Sequence, residues 1–389
     1  MQNKDFEPLL ATVRAIASEV AATHADAVDA QARFPHESIA ALREANVLSA
    51  GVPLALGGFG CGIGQQAALC AALAQGCSAS GMVLAMHLIE VACLARHGLD
   101  APWFRNVLRT CVAEQTLMAS VTSEVGTGGD TRSSICAVQC EGDNFSLEKA
   151  ATTVSYGQHA DALLVTARRA FDAASGDQVL VYLERGDFTL QPAGTWDTLG
   201  MRGTCSSGGQ VLARGHVRQI LPGSYADSSA QTMVPYSHIL CAALWWGIAA
   251  EADGRAAAFV RGKARRDPGT MPPAATALAQ AVAELHTMHE LWRGCASAFD
   301  ALDDDARGRD ELMTMGWALK MNHLKMQASE AAPRIVHQAL QIIGVLGYRN
   351  DSKFSVGRHY RDSLSAALMV SNERLAAKSA SMLLVVKDV

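Results

Sequence analysis

No two cysteines in this chain have the spacing of a metal clasp or a redox motif. The ten are scattered, with no Cys-x-x-Cys and no metal-type spacing to a histidine, so no metal site is expected. Cys136 and Cys140 are the closest pair, and side-chain alternation along a strand accounts for them. Such scatter points to a reducing, cytoplasmic location. Charge is sparse as well: Asp, Glu, Lys and Arg make up 18% of the residues, the net charge is -5, and no basic stripe is present, which argues against a nucleic-acid partner. Met1-Gln2-Asn3-Lys4-Asp5 lacks the apolar core of a signal peptide. The longest apolar run, Ile239 to Ala250, is too short to span a bilayer. Gly57-Gly58-Phe59-Gly60 is not followed by the Lys-Ser/Thr of a phosphate loop, and no βαβ alternation supports a Rossmann domain. What is present is an Ala-rich chain of 389 residues, too long for one simple core.

Along the chain, apolar periodicity changes twice. Residues 1–117 read as helical. Phe6, Leu9, Leu10, Val13 and Ile16 recur at helical spacing, and Pro35 opens a second helix with Ile39, Leu42 and Val47 on its buried side. Two apolar helices follow, Gln65 to Gln75 and Ser80 to His97. His87 and Glu90 lie one turn apart on the latter, where a helix-surface hydrogen bond is expected. From Met118 the pattern shortens to β-like runs such as Ala162 to Ala167 and Val179 to Leu183, separated by glycine and Asp/Asn turns, which predicts a small antiparallel sheet domain over 118–225. Residues 226–389 are helical again. Ile239 to Arg261 holds Trp245-Trp246, and Ala274 to Ala301 ends at Asp303-Asp304-Asp305, read as a solvated turn. Glu311 to about Leu340 follows, bent near Pro333. The class is α+β, in the order helices, sheet, helices.

Ser123-Glu124-Val125-Gly126-Thr127-Gly128-Gly129-Asp130 stands out in this order. It follows the strand-like run Leu117 to Thr122 and packs three glycines and two hydroxyl residues into eight positions. Glycines let backbone N–H groups approach a ligand, and hydroxyls add short hydrogen bonds. Taken alone, the stretch reads better as a plain turn between two strands.

Its company gives it meaning. The stretch resembles the first flavin loop of the acyl-CoA dehydrogenase family, Thr-Glu-Pro-(Gly/Asn)-Ala-Gly-Ser-Asp, in length, Glu, central glycines and Asp. Thr153-Val154-Ser155-Tyr156, followed by Ala160-Asp161 and Leu163-Leu164-Val165, is similar to the family's Trp-Ile-(Thr/Ser)-Asn segment and the Ala-Asp and strand after it. Leu199-Gly200-Met201-Arg202-Gly203-Thr204 resembles Leu-Gly-x-Arg-(Gly/Ser)-(Ser/Thr). Gln341-Ile342-Ile343-Gly344-Val345-Leu346-Gly347-Tyr348 resembles Gln-Ile-x-Gly-Gly-x-Gly-Tyr, and Arg361-Asp362-Ser363 resembles Arg-Asp-Ala. Together these cover nearly the whole chain. They imply an N-terminal helical domain, a middle β-barrel or sheet domain and a C-terminal four-helix bundle.

The resemblance further implies FAD held between the sheet and the C-terminal helices. Ser155 would stand near the flavin N5–O4 edge, and Ser123, Gly128 and Gly129 along the isoalloxazine and ribityl side. Gln341 and Gly344 would reach the adenosine half of a neighbouring subunit's FAD, which implies a homodimer or a homotetramer built as a dimer of dimers. The implied reaction is α,β-desaturation of an acyl thioester, CoA being the expected carrier. A carboxylate takes the α-proton and hydride leaves the β-carbon for the flavin, with electron-transfer flavoprotein or oxygen as acceptor.

Three departures qualify this. The usual base position, nine residues after the Arg of Arg-Asp-Ala, is Val370, and the alternative one on the long helix falls near Ser237. The tryptophan that shields the flavin is replaced by Thr153. The family's Arg-x-x-Phe-Gly element is replaced by Lys263-Ala264-Arg265-Arg266-Asp267-Pro268, in which Arg265 or Arg266 remains for a phosphate. Glu373, three residues after Val370 and so one helical turn on, is the first candidate base, with His238 and Glu90 behind it. A flavin monooxygenase, an enzyme eliminating a group from a thioester, and a catalytically silent thioester binder are the alternatives, because none of them needs that base.

Overall fold

The computed structural model describes residues 5–302 and 304–386, so Met1–Lys4 of the stretch without signal-peptide character and Asp303 of the acidic triplet lie outside the described residues. Helix α1 (Phe6–Ala15) buries Leu9, Leu10 and Val13 and passes through a π-turn (Ile16–Ala21) into α2 (Ala22–Ala30). Then come α3 (His36–Glu44), α4 (Ile63–Gly76), α5 (Ser78–His97) and α6 (Pro102–Glu114). Proline in the first turn of α6 costs nothing, because its missing N–H would have no partner there. The first N–H groups of α4 donate instead to a neighbour: Ile63 and Gly64 reach the Asp300 carboxylate at 2.9 and 3.0 Å. A carboxylate at a helix N-terminus satisfies orphan donors and the helix dipole together. It also fixes α4 to the C-terminal helices.

Seven strands form the middle of the chain: β1 (Met118–Val121), β2 (Gln139–Glu141), β3 (Asn144–Ala151), β4 (Ala162–Arg168), β5 (Gln178–Glu184), β6 (Phe188–Ala193) and β7 (Gly208–His216). They make two sheets, ordered β1-β4-β5 and β2-β3-β7-β6. The second is antiparallel throughout, as expected. The first is mixed, because β1 runs parallel to β4, with Met118 opposite Ala162 and Val121 opposite Val165. A hairpin cannot join parallel strands, and here the excursion through β2 and β3 serves as the crossover. Strands β4 and β5 are buried almost end to end, whereas β3 alternates exposed and buried residues. One sheet is therefore internal and the other faces water on one side.

The last third contains α7 (Tyr225–Ser228), α8 (Val234–Arg266), α9 (Ala275–Asp300), α10 (Ala306–Leu312), α11 (Met315–Ile343), α12 (Val345–Tyr348), α13 (Gly357–Leu364) and α14 (Asn372–Leu383). Phe299 of α9 meets Tyr236 of α8 and Trp317 of α11, while Leu285 and Glu284, nearer the start of α9, meet Trp246 and Arg334. Helices α8 and α11 thus run the same way with α9 antiparallel to both, and α14 packs on α11 as the fourth helix. Pro333 lies inside α11, and the helix continues past it. Helix α5 and the segment Tyr225–Arg266 do reach the length and apolarity of a bilayer span, which the run Ile239 to Ala250 alone does not. Their windows are 89% and 78% buried inside the protein, as core helices are.

Candidate functional site

The glutamate of the glycine-rich stretch builds the loop. Glu124 is buried; its carboxylate accepts the N–H groups of Ile135 (3.1 Å) and Cys136 (2.6 Å) and the Ser134 hydroxyl (2.7 Å). The Lys149 ammonium lies 3.5 Å away, itself buried and donating to Thr166. Val125 N–H closes the loop on the Ala150 carbonyl at 2.8 Å. Glu124 is therefore fully occupied within the loop.

Ser123 Oγ donates to the Thr153 carbonyl at 2.8 Å and accepts the Thr153 N–H at 3.0 Å, which joins the first two flavin-like segments. Ser155 Oγ accepts from Ser206 at 2.9 Å, and Ser206 is within 2.8 Å of Thr204, so the third segment reaches the same place. Gly200 packs so tightly on the fourth that an added Cβ would collide with the Arg361 carbonyl. Met201 N–H donates to Asp362 at 2.6 Å, and Arg361 pairs with Asp29 at 2.5 Å. Asp161, from the second segment, accepts the Leu117 N–H and pairs with Arg43.

Gly128 and Gly129 have φ of +60° and +79°. Their carbonyls accept from the Arg374 guanidinium of α14, while their N–H groups find no partner among the described residues. Nothing lies within 4 Å of where a Gly128 Cβ would be. Consecutive N–H groups left free in such a turn form a nest suited to an electronegative ligand atom, and this is the feature that fits a flavin. A hollow of about 370 Å³ adjoins it, lined by Gly128, Asp130, Arg132, Arg374 and Lys378. Three cations against one carboxylate favour an anionic group there.

Val370, in the usual base position, occupies a turn with φ +55°. It is not on one helix with Glu373, so the three-residue spacing does not stack the two. Glu373 is exposed in the first turn of α14 and makes no hydrogen bond or ion pair among the described residues. Ser237 is half-buried on α8. His238 beside it is buried, donates from Nδ1 to the Met321 carbonyl at 3.0 Å, and is pushed down to about 4 by that burial. Glu90 is buried against Ser120 of β1, and burial pushes its carboxyl up to about 8, with Oε2 unpartnered among the described residues. His87 and Glu90 are thus core residues, not a surface pair. The His87 ring bridges the Leu48 carbonyl (2.7 Å) and the Met118 N–H (3.1 Å).

One residue at position 370 escapes sequence reasoning: Lys325 of α11 donates to the Val370 carbonyl. Its signal is a lysine on the buried stripe Met321, Leu324, Ala328, Ala332.

The remaining expected residues lie elsewhere. Arg265 ends α8, exposed. Gln341 is exposed near the end of α11, and Gly344 caps that helix with φ +72°. Since α8 and α11 run the same way, all three sit at one end of the bundle. Gln341 is about 24 Å along α11 from Lys325, at the usual rise per residue. Within one chain they do not meet the glycine loop.

Two family models match: "Acyl-CoA dehydrogenase, N-terminal domain" over residues 3–102 and "Acyl-CoA dehydrogenase, C-terminal domain" over residues 228–370. Cyclohexane-1-carbonyl-CoA dehydrogenase of Geobacter metallireducens is 25% identical over 366 residues, 90% of each chain. A shorter match, 28% identical over 144 residues, links 37% of this chain to 37% of the probable acyl-CoA dehydrogenase fadE25 of Mycobacterium leprae. Among solved structures, a glutaryl-coenzyme A dehydrogenase in complex with glutaryl-CoA superposes with TM-score 0.80 at 21% identity, covering 99% of this chain and 96% of that one. The FMN-bound dibenzothiophene monooxygenase of Paenibacillus sp. A11-2 also gives 0.80, at 18% identity over 97% of each chain.

Proposed function

The chain belongs to the acyl-CoA dehydrogenase family, a family of flavoproteins, and from that premise we propose that it is an FAD-dependent oxidoreductase performing α,β-desaturation of an acyl thioester, CoA being the expected carrier. The observation that supports this reading is that Ser123 ties the glycine loop to Thr153, Ser155 meets Ser206 of the third segment, and the Gly128 and Gly129 N–H groups beside α14 have no partner among the described residues. A flavin bound there supplies the hydride acceptor. Ser155 and the glycine nest orient it, and Arg132 and Lys378 draw the anionic part of the substrate to the adjoining hollow. Glu373, without a hydrogen bond or ion pair among the described residues, is the proposed acceptor of the α-proton. Arg265, Gln341 and Gly344 are proposed to reach the cofactor of a second copy, in a homodimer or homotetramer. The exposed apolar residues Val345, Leu346 and Tyr348 beside Gly344 support that assembly. Electron-transfer flavoprotein or oxygen is the proposed acceptor. Domain limits of 1–117, 118–225 and 226–389 and a cytoplasmic location belong to the same reading.

Anaerobic titration of the flavin-loaded protein with saturated acyl-CoAs tests it: one chain class should bleach the flavin. Glu373→Gln should then lower the reduction rate on the order of 100-fold or more, the scale of general-base catalysis, with flavin still bound. Unchanged turnover removes Glu373 from the role.

A second reading, oxygen insertion, is favoured by one observation: neither base position holds a carboxylate, since Val370 and Ser237 occupy them. It expects no bleaching by any thioester, and label from ¹⁸O₂ in the product of the reduced protein.

A further inference from the structure

Lysine is an unusual residue to find inside a helix bundle, yet Lys325 is only 1% exposed. Its Nζ donates to the Val370 carbonyl at 2.5 Å and to Asn372 Oδ1 at 2.7 Å. Ser329, one turn further along α11, is hydrogen-bonded to the Asn372 side chain as well. The ammonium also lies 5.8 Å from the centre of the Trp245 ring on α8. Burying an ammonium costs several kcal/mol unless its donors are engaged. A lysine that served only to fill space would be replaced by leucine or methionine at no loss.

What Lys325 grips needs holding. Val370 has φ +55°, a left-handed conformation that a β-branched residue adopts at a cost on the order of 1–3 kcal/mol. Two residues beyond Asn372, Arg374 donates to both carbonyls of the Gly128-Gly129 nest. Contacts therefore run without a gap from the core of α11, through the strained turn, to the glycine loop.

We propose that Lys325 is a positioning residue of the reactive centre: by gripping Val370 and Asn372 it fixes the turn that sets position 370 and Arg374 against the glycine loop. This rests on the reading above, in which position 370 borders the reacting carbon. Lys325 acts through the turn and donates no group to the substrate.

A double-mutant cycle tests the inference on flavin-loaded protein, with Lys325→Met, Val370→Gly and the pair. Glycine takes φ +55° without strain, so in the Val370→Gly variant the turn no longer depends on the ammonium. Two quantities are read: amide hydrogen exchange over residues 369–375 and 126–130, and the rate of flavin reduction by the thioester that reduces the wild type. Lys325→Met is expected to speed exchange in both segments on the order of tenfold, the worth of a hydrogen bond to a charged group. It should slow reduction by a similar factor with little change in KM. Measured against Val370→Gly alone, the same substitution should cost less than half as much. Unchanged exchange in Lys325→Met, or an equal penalty in both backgrounds, overturns the proposal. Should Lys325→Met fail to fold, Asn372→Ala removes one acceptor and leaves the ammonium. A smaller effect in the same direction is then expected, and none at all overturns it. If no thioester reduces the wild type, the desaturation reading falls alone, and the exchange data still decide for or against the latch.

Discussion

Glu124 and Glu90 both put a carboxyl beside β1, at 5% and 2% exposure, and the protein serves them in opposite ways. Glu124 receives two backbone N–H groups, a hydroxyl and a nearby ammonium. Glu90, reaching β1 from α5, has Ser120 for one oxygen and no partner among the described residues for the other. A desolvated carboxyl either finds enough donors to remain an anion or holds its proton. The loop at Glu124 supplies the donors. The helix at Glu90 does not, and its titration is moved up to about 8. Sequence position alone does not separate the two, because both glutamates sit among apolar and small residues.

The sharpest way to break this comparison is to remove the cation from the satisfied site. Lys149→Met should leave a buried carboxylate without its counter-charge and lower unfolding stability by about 3–5 kcal/mol, read from a denaturant midpoint. A loss below about 1 kcal/mol would mean that the three hydrogen bonds suffice, and the two glutamates would then differ by donor count alone. Next in size is Gly200→Ala, which attacks the joint between this corner and the bundle. A methyl group driven into the Arg361 carbonyl must push the segment off, and the Met201–Asp362 hydrogen bond goes with it. Overpacking of this kind costs about 1–3 kcal/mol, visible as a drop in Tm. An unshifted Tm would show that the joint has slack.

Much of the skeleton is legible in the residues, for a physical reason. Glu124, Asp161, Gly200 and Asp362 are the parts of the four segments that hold elements together, each through backbone atoms or a close approach that few other residues allow. Helical periodicity likewise places α8, α9 and α11 within a few residues, because their apolar stripes are long. The parallel pairing of β1 with β4 is not legible, since the partner strand returns only after another sheet has begun. Nor is the role of Lys325, a residue type that normally marks a solvated face. His87 and Glu90 fail for the same reason: one turn apart on an apolar helix, they look like a surface pair, and only the packing of α5 under β1 shows them to be core. The position of Glu373 relative to Val370 misleads because a strained turn, not a helix, separates them.

Glu90 gives the smaller and more discriminating test. Its folded-state value of about 8 lies above that of an ordinary glutamate. The folded chain therefore keeps a proton that the unfolded chain releases once the pH exceeds about 4.5. Wherever the folded state binds more protons, stability falls as pH rises. The contribution of Glu90 to stability should be lost from about pH 4.5 to about pH 8, being fully present only below that window. Glu90→Gln keeps the shape and the chance of a bond to Ser120 but cannot titrate. The variant should match the wild type at low pH and exceed it near pH 8 by about 1 kcal/mol or more, roughly 2 °C in Tm for a chain of this size. A Tm difference that stays flat across the window would mean that burial under β1 does not hold the Glu90 proton. A difference that grows with pH would leave Glu90 unable to accept a proton at neutrality, and so would take it out of contention as the base that position 370 lacks.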